Sequence, residues 1–115
     1  MEDKVVIGLT EHIRINGTDE NQELVVRIDT GATKSSIDIN LASKLKLGPI
    51  IKSKMVKSAH GNRLRPILEA EIVIRGKKIK SEFTLADRSH MKYKILIGQN
   101  ILKQGFLIDP LLDSK

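Results

Sequence analysis

Apolar residues in this chain come in short runs, each closed by a turn signal, and that punctuation constrains the fold more than any other feature. Val5-Val6-Ile7-Gly8-Leu9 and His12-Ile13-Arg14-Ile15 lead into Asn16-Gly17, a dipeptide suited to a tight hairpin turn. Glu23-Leu24-Val25-Val26-Arg27-Ile28 runs up to Asp29, and Ser35-Ser36-Ile37-Asp38-Ile39 reads as the next strand. A short helix is expected over 41–47, with Asn40 as its cap, Leu41 and Leu45 on one face, and Gly48-Pro49 as its stop. Residues 54–59 and 64–74 flank a hairpin tip at His60-Gly61-Asn62, and a second hairpin turns about Gly76. Residues 93–97 form an apolar strand stopped by Gly98. A second helix follows near 100–104, capped by Asn100 and closed by Gly105, and residues 106–110 hold a last strand. The pattern predicts a mainly β domain, antiparallel for the most part, of about eight or nine short strands with one or two helices.

Composition narrows the class further. At 115 residues the chain reads as a single domain over 1–115, and with 40% hydrophobic residues it can bury a real core. With no Trp, two Phe and one Tyr, that core must be aliphatic. No cysteine is present, which excludes disulfides and thiolate metal sites and fits a reducing compartment. Neither a leader pattern nor an apolar run of about 18 residues occurs, so the expectation is a cytoplasmic protein with no membrane partner. The formal charge of +6 raises nucleic acid as a partner. The basic residues are interleaved through expected strands and turns, and few aromatics exist to stack bases, which argues against it.

Asp29-Thr30-Gly31-Ala32 is where chemistry concentrates. An isolated buried carboxylate is expensive, so a strand that ends on one needs a compensating reason. Gly31 permits close approach by another backbone, and Thr30 supplies a short hydroxyl able to hydrogen-bond across that approach. Aspartic hydrolysis needs two carboxylates about 3 Å apart sharing a proton, one to activate water and one to protonate the substrate carbonyl. The chain carries a single Asp-Thr-Gly. The second carboxylate must then come from an identical subunit across a two-fold axis, so the motif requires a homodimer.

The residues Val26–Asp38, the Leu41–Gly48 helix, a central hairpin and the late Ile95-Leu96-Ile97-Gly98-Gln99-Asn100-Ile101-Leu102 stand in the order seen in retropepsin-like aspartic proteases, which the chain resembles over about residues 20–109. Residues 5–15, the Arg65-Pro66 pair after the hairpin tip and residues 84–102 look most like the prokaryotic branch related to RimB, often labelled an ATP-dependent zinc protease. The resemblance implies a closed β-barrel. It also implies a catalytic role for Asp29, Thr30 and Gly31 and a supporting floor of Ala32, Leu96, Ile97 and Gly98. A polypeptide substrate, no cofactor and, for some members, association with RimK-type ATP-grasp ligases follow in the same way. Gln99 departs from the pattern, standing where the family usually has Arg.

The remaining candidates admit two readings each. Ser58, Ala59, His60, Gly61 and Asn62 map onto the flap of retropepsins, which adds backbone hydrogen bonds to an extended peptide, or they form an ordinary hairpin turn. Arg63 and Arg65 beside them read an acidic substrate or are solvated strand charges. Asp87 and Asp109 suit turn-ordering roles. His12, His60 and His90 are dispersed and no His-Glu-x-x-His occurs, so no metal site is expected despite the label. Two functions compete: an aspartic endopeptidase built from two copies of Asp29, and a non-catalytic interaction or regulatory module on the same fold, partnering an ATP-grasp ligase.

Overall fold

Alternating burial along short strands wraps this chain around one aliphatic core. The computed structural model describes residues 4–15, 23–58 and 61–112. In chain order the strands are β1 (Val5–Ile7), β2 (Thr10–Ile15), β3 (Glu23–Ile28) and β4 (Ser35–Asp38). Helix α1 (Ile39–Lys44) precedes β5 (Ile50–Ser58), β6 (Gly61–Ile74), β7 (Lys77–Ala86) and β8 (Ile95–Ile97); α2 (Gln99–Leu102) and β9 (Phe106–Ile108) close the chain. On β2, Ile13 and Ile15 point inward while His12 and Arg14 face out; on β6, Leu68, Ala70, Ile72 and Ile74 are buried. Each fully buried Ile contributes roughly 1.5–3 kcal/mol, and Ile dominates the core. Phe83 is the one aromatic among the fully enclosed side chains.

The sheet closes on itself. Strands pair in the order β2-β3-β8-β4-β7-β6, and β6 returns to β2 through Ile13↔Ile74, Arg14↔Val73 and Ile15↔Ile72. Strand β5 hangs on the outside of this ring and, among the described residues, pairs with β6 alone. Antiparallel pairs predominate as expected, in β2–β3, β2–β6, β4–β8, β5–β6 and β6–β7, while β3–β8, β4–β7 and the separate β1–β9 pair are parallel. Long connections separate the members of each parallel pair, which allows them to run the same way. At the tip of the β6–β7 hairpin, Arg75 (φ 47°) and Gly76 (φ 80°) take the left-handed values that a tight two-residue turn requires.

Both expected helices form, with different caps. Asp38, not Asn40, caps α1: its carboxylate accepts from the Leu41 amide at 3.2 Å and from the Arg88 amide at 2.7 Å. Asp38 is buried, so it ties the helix start to the 87–94 loop, whereas Asn40 lies two residues further on, already inside the first turn, and is exposed. The N-cap of α2 is Gly98, and the Asn100 side chain turns inward to the sheet instead. Glu11 occupies an inward position of β2 at 3% exposure. Its carboxylate is compensated by the Gly8 amide at 2.8 Å and by two bonds from Arg75 at 3.0 and 3.1 Å. The expected Asn16-Gly17 turn lies outside the described residues.

Candidate functional site

The site follows from one topological feature. Strand β8 lies between β3 and β4, which are consecutive in the chain. The connection from Asp29 to Lys34 must therefore cross the end of β8, and that end is Ile97-Gly98. Register fixes the crossing: Arg27↔Leu96 and Ile28↔Ile97 on one side, Ser36↔Leu96 and Ile37↔Ile95 on the other. A Cβ on Gly98 would press on the Lys34 carbonyl and stand 2.8 Å from the Ala32 oxygen, so only glycine fits under the loop. Ile97 is fully buried, Leu96 half-buried.

Backbone and side-chain bonds then hold the loop from below. The Asp29 amide donates to the Ile97 carbonyl at 2.9 Å, and the Gln99 and Asn100 amides donate to the Ala32 and Thr33 carbonyls at 2.8 and 3.2 Å. The Gln99 side-chain amide adds a bond to the Thr30 carbonyl at 2.8 Å. Gln99 thus clamps the loop within its own chain at two points. The half-buried Asp29 carboxylate accepts from the Gly31 amide at 2.9 Å and has no ion-pair partner among the described residues. A Cβ on Gly31 would meet that carboxylate oxygen at 3.3 Å, and this contact, rather than a left-handed φ, is what glycine relieves there. Thr30 is exposed, and its hydroxyl makes no hydrogen bond among the described residues.

A buried polar chain under the loop was not singled out in the sequence. Ser35, with no exposed surface, accepts from the Gly98 amide at 2.9 Å and donates to Asn100 Oδ1 at 2.7 Å. Asn100 Nδ2 in turn donates to Ser81 Oγ at 3.1 Å and to the Glu82 carbonyl at 3.0 Å. No sequence signal marks Ser35, because its partners lie more than 60 residues away along the chain. Ser35→Ala leaves the Gly98 amide and the Asn100 oxygen without that partner, and is expected to cost about 1–3 kcal/mol, read as a lowered urea midpoint.

The β5–β6 hairpin pairs from Ile50↔Leu68 out to Ser58↔Gly61. Ala59 and His60 at its tip lie outside the described residues; Gly61 (φ 110°) and Asn62 begin the return strand. Alternation sorts its side chains. Leu64, opposite Met55, falls on the face that continues into Leu68, Ala70 and Ile72, whereas Arg63 and Arg65 fall on the face of Glu69 and Glu71. Met55 and Leu64 are 50% and 64% exposed, an apolar pair without cover on the inner face.

Other candidates serve local order. Ser89 donates twice to Asp87, by its amide at 3.0 Å and its hydroxyl at 2.6 Å. The Ser89 hydroxyl, its amide and then the His90 and Lys94 charges hold the Asp87 carboxyl below its ordinary range. What this adds to stability is present above the unfolded value and lost as pH falls through the folded one. Asp109 accepts from the Leu111 amide at 2.9 Å. A depression of about 560 Å³ bounded by Glu11, Arg14, Glu23 and Arg75 shares no residue with the Asp29 loop. Among the described residues no group of three His, Cys, Asp or Glu could hold a metal ion, and no helix is long and apolar enough to cross a membrane.

Comparison with known proteins agrees with this architecture. Among solved structures, a Legionella pneumophila protein of unknown function superposes with a TM-score of 0.69 at 20% identity, covering 96% of this chain and 97% of that one. The simian foamy virus protease gives 0.63 at 18% identity, covering 82% and 91%, and the EIAV protease, solved with an inhibitor, gives 0.63 at 24% identity, covering 90% and 88%. These likenesses show the retropepsin-like fold. No curated protein sequence matches the chain. The model of the RimB-like family, described as retropepsin-like aspartic endopeptidase RimB, matches residues 40–114, a span that includes the hairpin, β8 and α2 but begins after Asp29. From the match over most of its length, the chain belongs to the RimB-like family of retropepsin-like aspartic endopeptidases.

Proposed function

We propose that the protein is an aspartic endopeptidase whose active site forms when two copies bring their Asp29 loops together across a two-fold axis. The observation that carries this reading is the loop itself. Asp29 sits half-exposed at the end of a core strand, oriented by the Gly31 amide, over the Ile97-Gly98 floor, and among the described residues no second carboxylate hydrogen-bonds to it. One Asp29 of the pair, ionised, activates water; the other, protonated, donates to the scissile carbonyl. The Thr30 hydroxyl bonds across the axis, where its own chain leaves it unused. Ala32, Leu96, Ile97 and Gly98 set the loop's height. The hairpin from Ser58 to Asn62, including Ala59, His60 and Gly61, closes over an extended polypeptide, with Met55 and Leu64 on the side that meets it. The single domain supplies half of this site, and no cofactor enters.

Subunit mixing tests the reading. Native chains and Asp29→Asn chains, mixed in equal amounts and allowed to exchange, form native pairs in about one quarter of dimers. Cleavage of a peptide library should fall to about a quarter of that given by native chains at the same total concentration. A fall to one half would mean that each chain acts alone and would overturn the shared site. The non-catalytic reading, an interaction module for an ATP-grasp ligase, draws on Gln99 in place of Arg; absence of cleavage at any pH would favour it.

A further inference from the structure

One peptide unit of the Asp29 loop is held from both sides. The Thr30–Gly31 peptide is planar and trans, so its N–H and C=O point in opposite directions. The N–H, from Gly31, donates to Asp29 Oδ1 at 2.9 Å, and the C=O, from Thr30, accepts from Gln99 Nε2 at 2.8 Å. Gln99 therefore reaches the Asp29 carboxylate through a single rigid plane, without a hydrogen bond to it.

The place of Gln99 in the fold makes this possible. It is the first residue of α2, just after the N-cap Gly98 that lies under the loop. Its own amide, one of those a helix start leaves without an intrahelical partner, donates to the Ala32 carbonyl at 2.8 Å. Main chain and side chain of one half-buried residue thus bracket Thr30–Ala32.

No charged side chain takes over the task among the described residues. The cations on the surrounding elements are Arg27 on β3, Lys34 at the loop's end, Lys94 before β8 and Lys103 after α2, and none forms an ion pair with Asp29. Lys94 donates instead to the Arg88, Ser89 and Met91 carbonyls. The acids there are also engaged: Glu11 with Arg75, Glu23 with His12 and Arg14, and Asp38 with the Leu41 and Arg88 amides. Orientation of Asp29 is left to neutral donors.

We propose that Gln99 is a positioning residue for Asp29, acting through the Thr30–Gly31 peptide; its catalytic consequence rests on the peptidase reading above. A donor on the Thr30 carbonyl fixes the tilt of the plane, and so the direction from which the Gly31 N–H meets the carboxylate. It also polarises the peptide, which strengthens that N–H as a donor at the other end. With Oδ1 held in this way, Oδ2 is the oxygen left to face the reacting atoms.

Two variants test this beside the native chain, each first checked for native circular dichroism. Gln99→Met keeps the length and loses the donor. Gln99→Glu can donate only while protonated, below about pH 4.3. In proton–nitrogen correlation spectra, the Gly31 amide proton should move upfield in Gln99→Met, relative to the native chain at the same pH. In Gln99→Glu it should do so only as pH rises through the titration of the added carboxyl. In peptide hydrolysis, Gln99→Met should lower kcat about tenfold with KM changed less than about twofold, the signature of an interaction made in the transition state. Gln99→Glu should approach the native rate at about pH 4 and fall to the Gln99→Met level or below it above about pH 5. The proposal is overturned if the Gly31 resonance of Gln99→Met is unchanged, if KM rises while kcat stays, or if Gln99→Glu and Gln99→Met behave alike at every pH. The resonance is read whether or not the native chain cleaves peptides, so absence of cleavage counts against the peptidase reading and not against this one.

Discussion

Asp29→Asn is expected to abolish peptide hydrolysis, by about a thousandfold or more, and at pH 8 to associate at least as tightly as the native chain. The folded chain should tolerate it, since the Asn side-chain oxygen can still accept the Gly31 amide that now binds Asp29 Oδ1. Two facing carboxylates cannot both ionise cheaply, so the native pair retains one proton that separated chains release at the same pH. The linkage sign is then fixed. The dimer binds more protons than its parts, so association strengthens as pH falls and weakens as pH rises. Ala32 has no side-chain donor with which to stabilise a second negative charge. Activity should accordingly fall as pH rises and the shared proton is lost. Sedimentation of both chains at pH 5 and pH 8 reads the association. A native dimer indifferent to pH, with the variant behaving identically, would mean that the aspartates do not face each other.

Gly98→Ala is expected to destabilise the protein by about 2–3 kcal/mol, and Gly98→Val by at least as much. The added Cβ would lie 2.7 Å from the Lys34 carbonyl carbon and 2.8 Å from the Ala32 oxygen, and both are backbone atoms of the crossing loop. No side chain can rotate away to relieve the contact. Lifting the loop would in turn stretch the bonds from the Gln99 and Asn100 amides to Ala32 and Thr33, and the Gln99 side-chain bond to Thr30. Stability loss should therefore come with loss of any activity beyond the unfolded fraction. Urea denaturation reads the first effect, and an unchanged midpoint would contradict the placement of β8 beneath the Asp29 loop.

Local patterns carried much of this architecture. The apolar run at 23–28 became a strand with those bounds, while the strands expected over 93–97 and 106–110 formed only over 95–97 and 106–108, where the apolar residues are. The Arg75-Gly76 turn and the two short helices were likewise legible from spacing. Caps were less so. Both Asp38 and Asn40 are competent cap residues, and the choice went to Asp38 because its carboxylate also satisfies the distant Arg88 amide. Asn100 is another such case. A helix-start residue by sequence, it serves as a cross-strand tie because Ser35 and Ser81 converge on it.

What the sequence by itself determined is the set of elements and the identity of the reactive group: short strands, an aliphatic core, and one carboxylate per chain in Asp-Thr-Gly. These follow from side-chain chemistry and from periods of a few residues, which neighbours along the chain suffice to define. The tertiary structure decided everything that depends on who crosses whom. It inserted β8 between β3 and β4, which forces the Asp29 loop over Gly98 and makes glycine there a steric necessity. It buried Ser35 against Gly98 and Asn100 at the start of α2, balanced Glu11 with Arg75, and turned Gln99 back onto Thr30. It also put Arg63 and Arg65 on the outward face of the hairpin and Leu64 on the inward one. Such contacts join residues tens of positions apart, and their energies exist only once the sheet has closed, so no local pattern in the chain can record them.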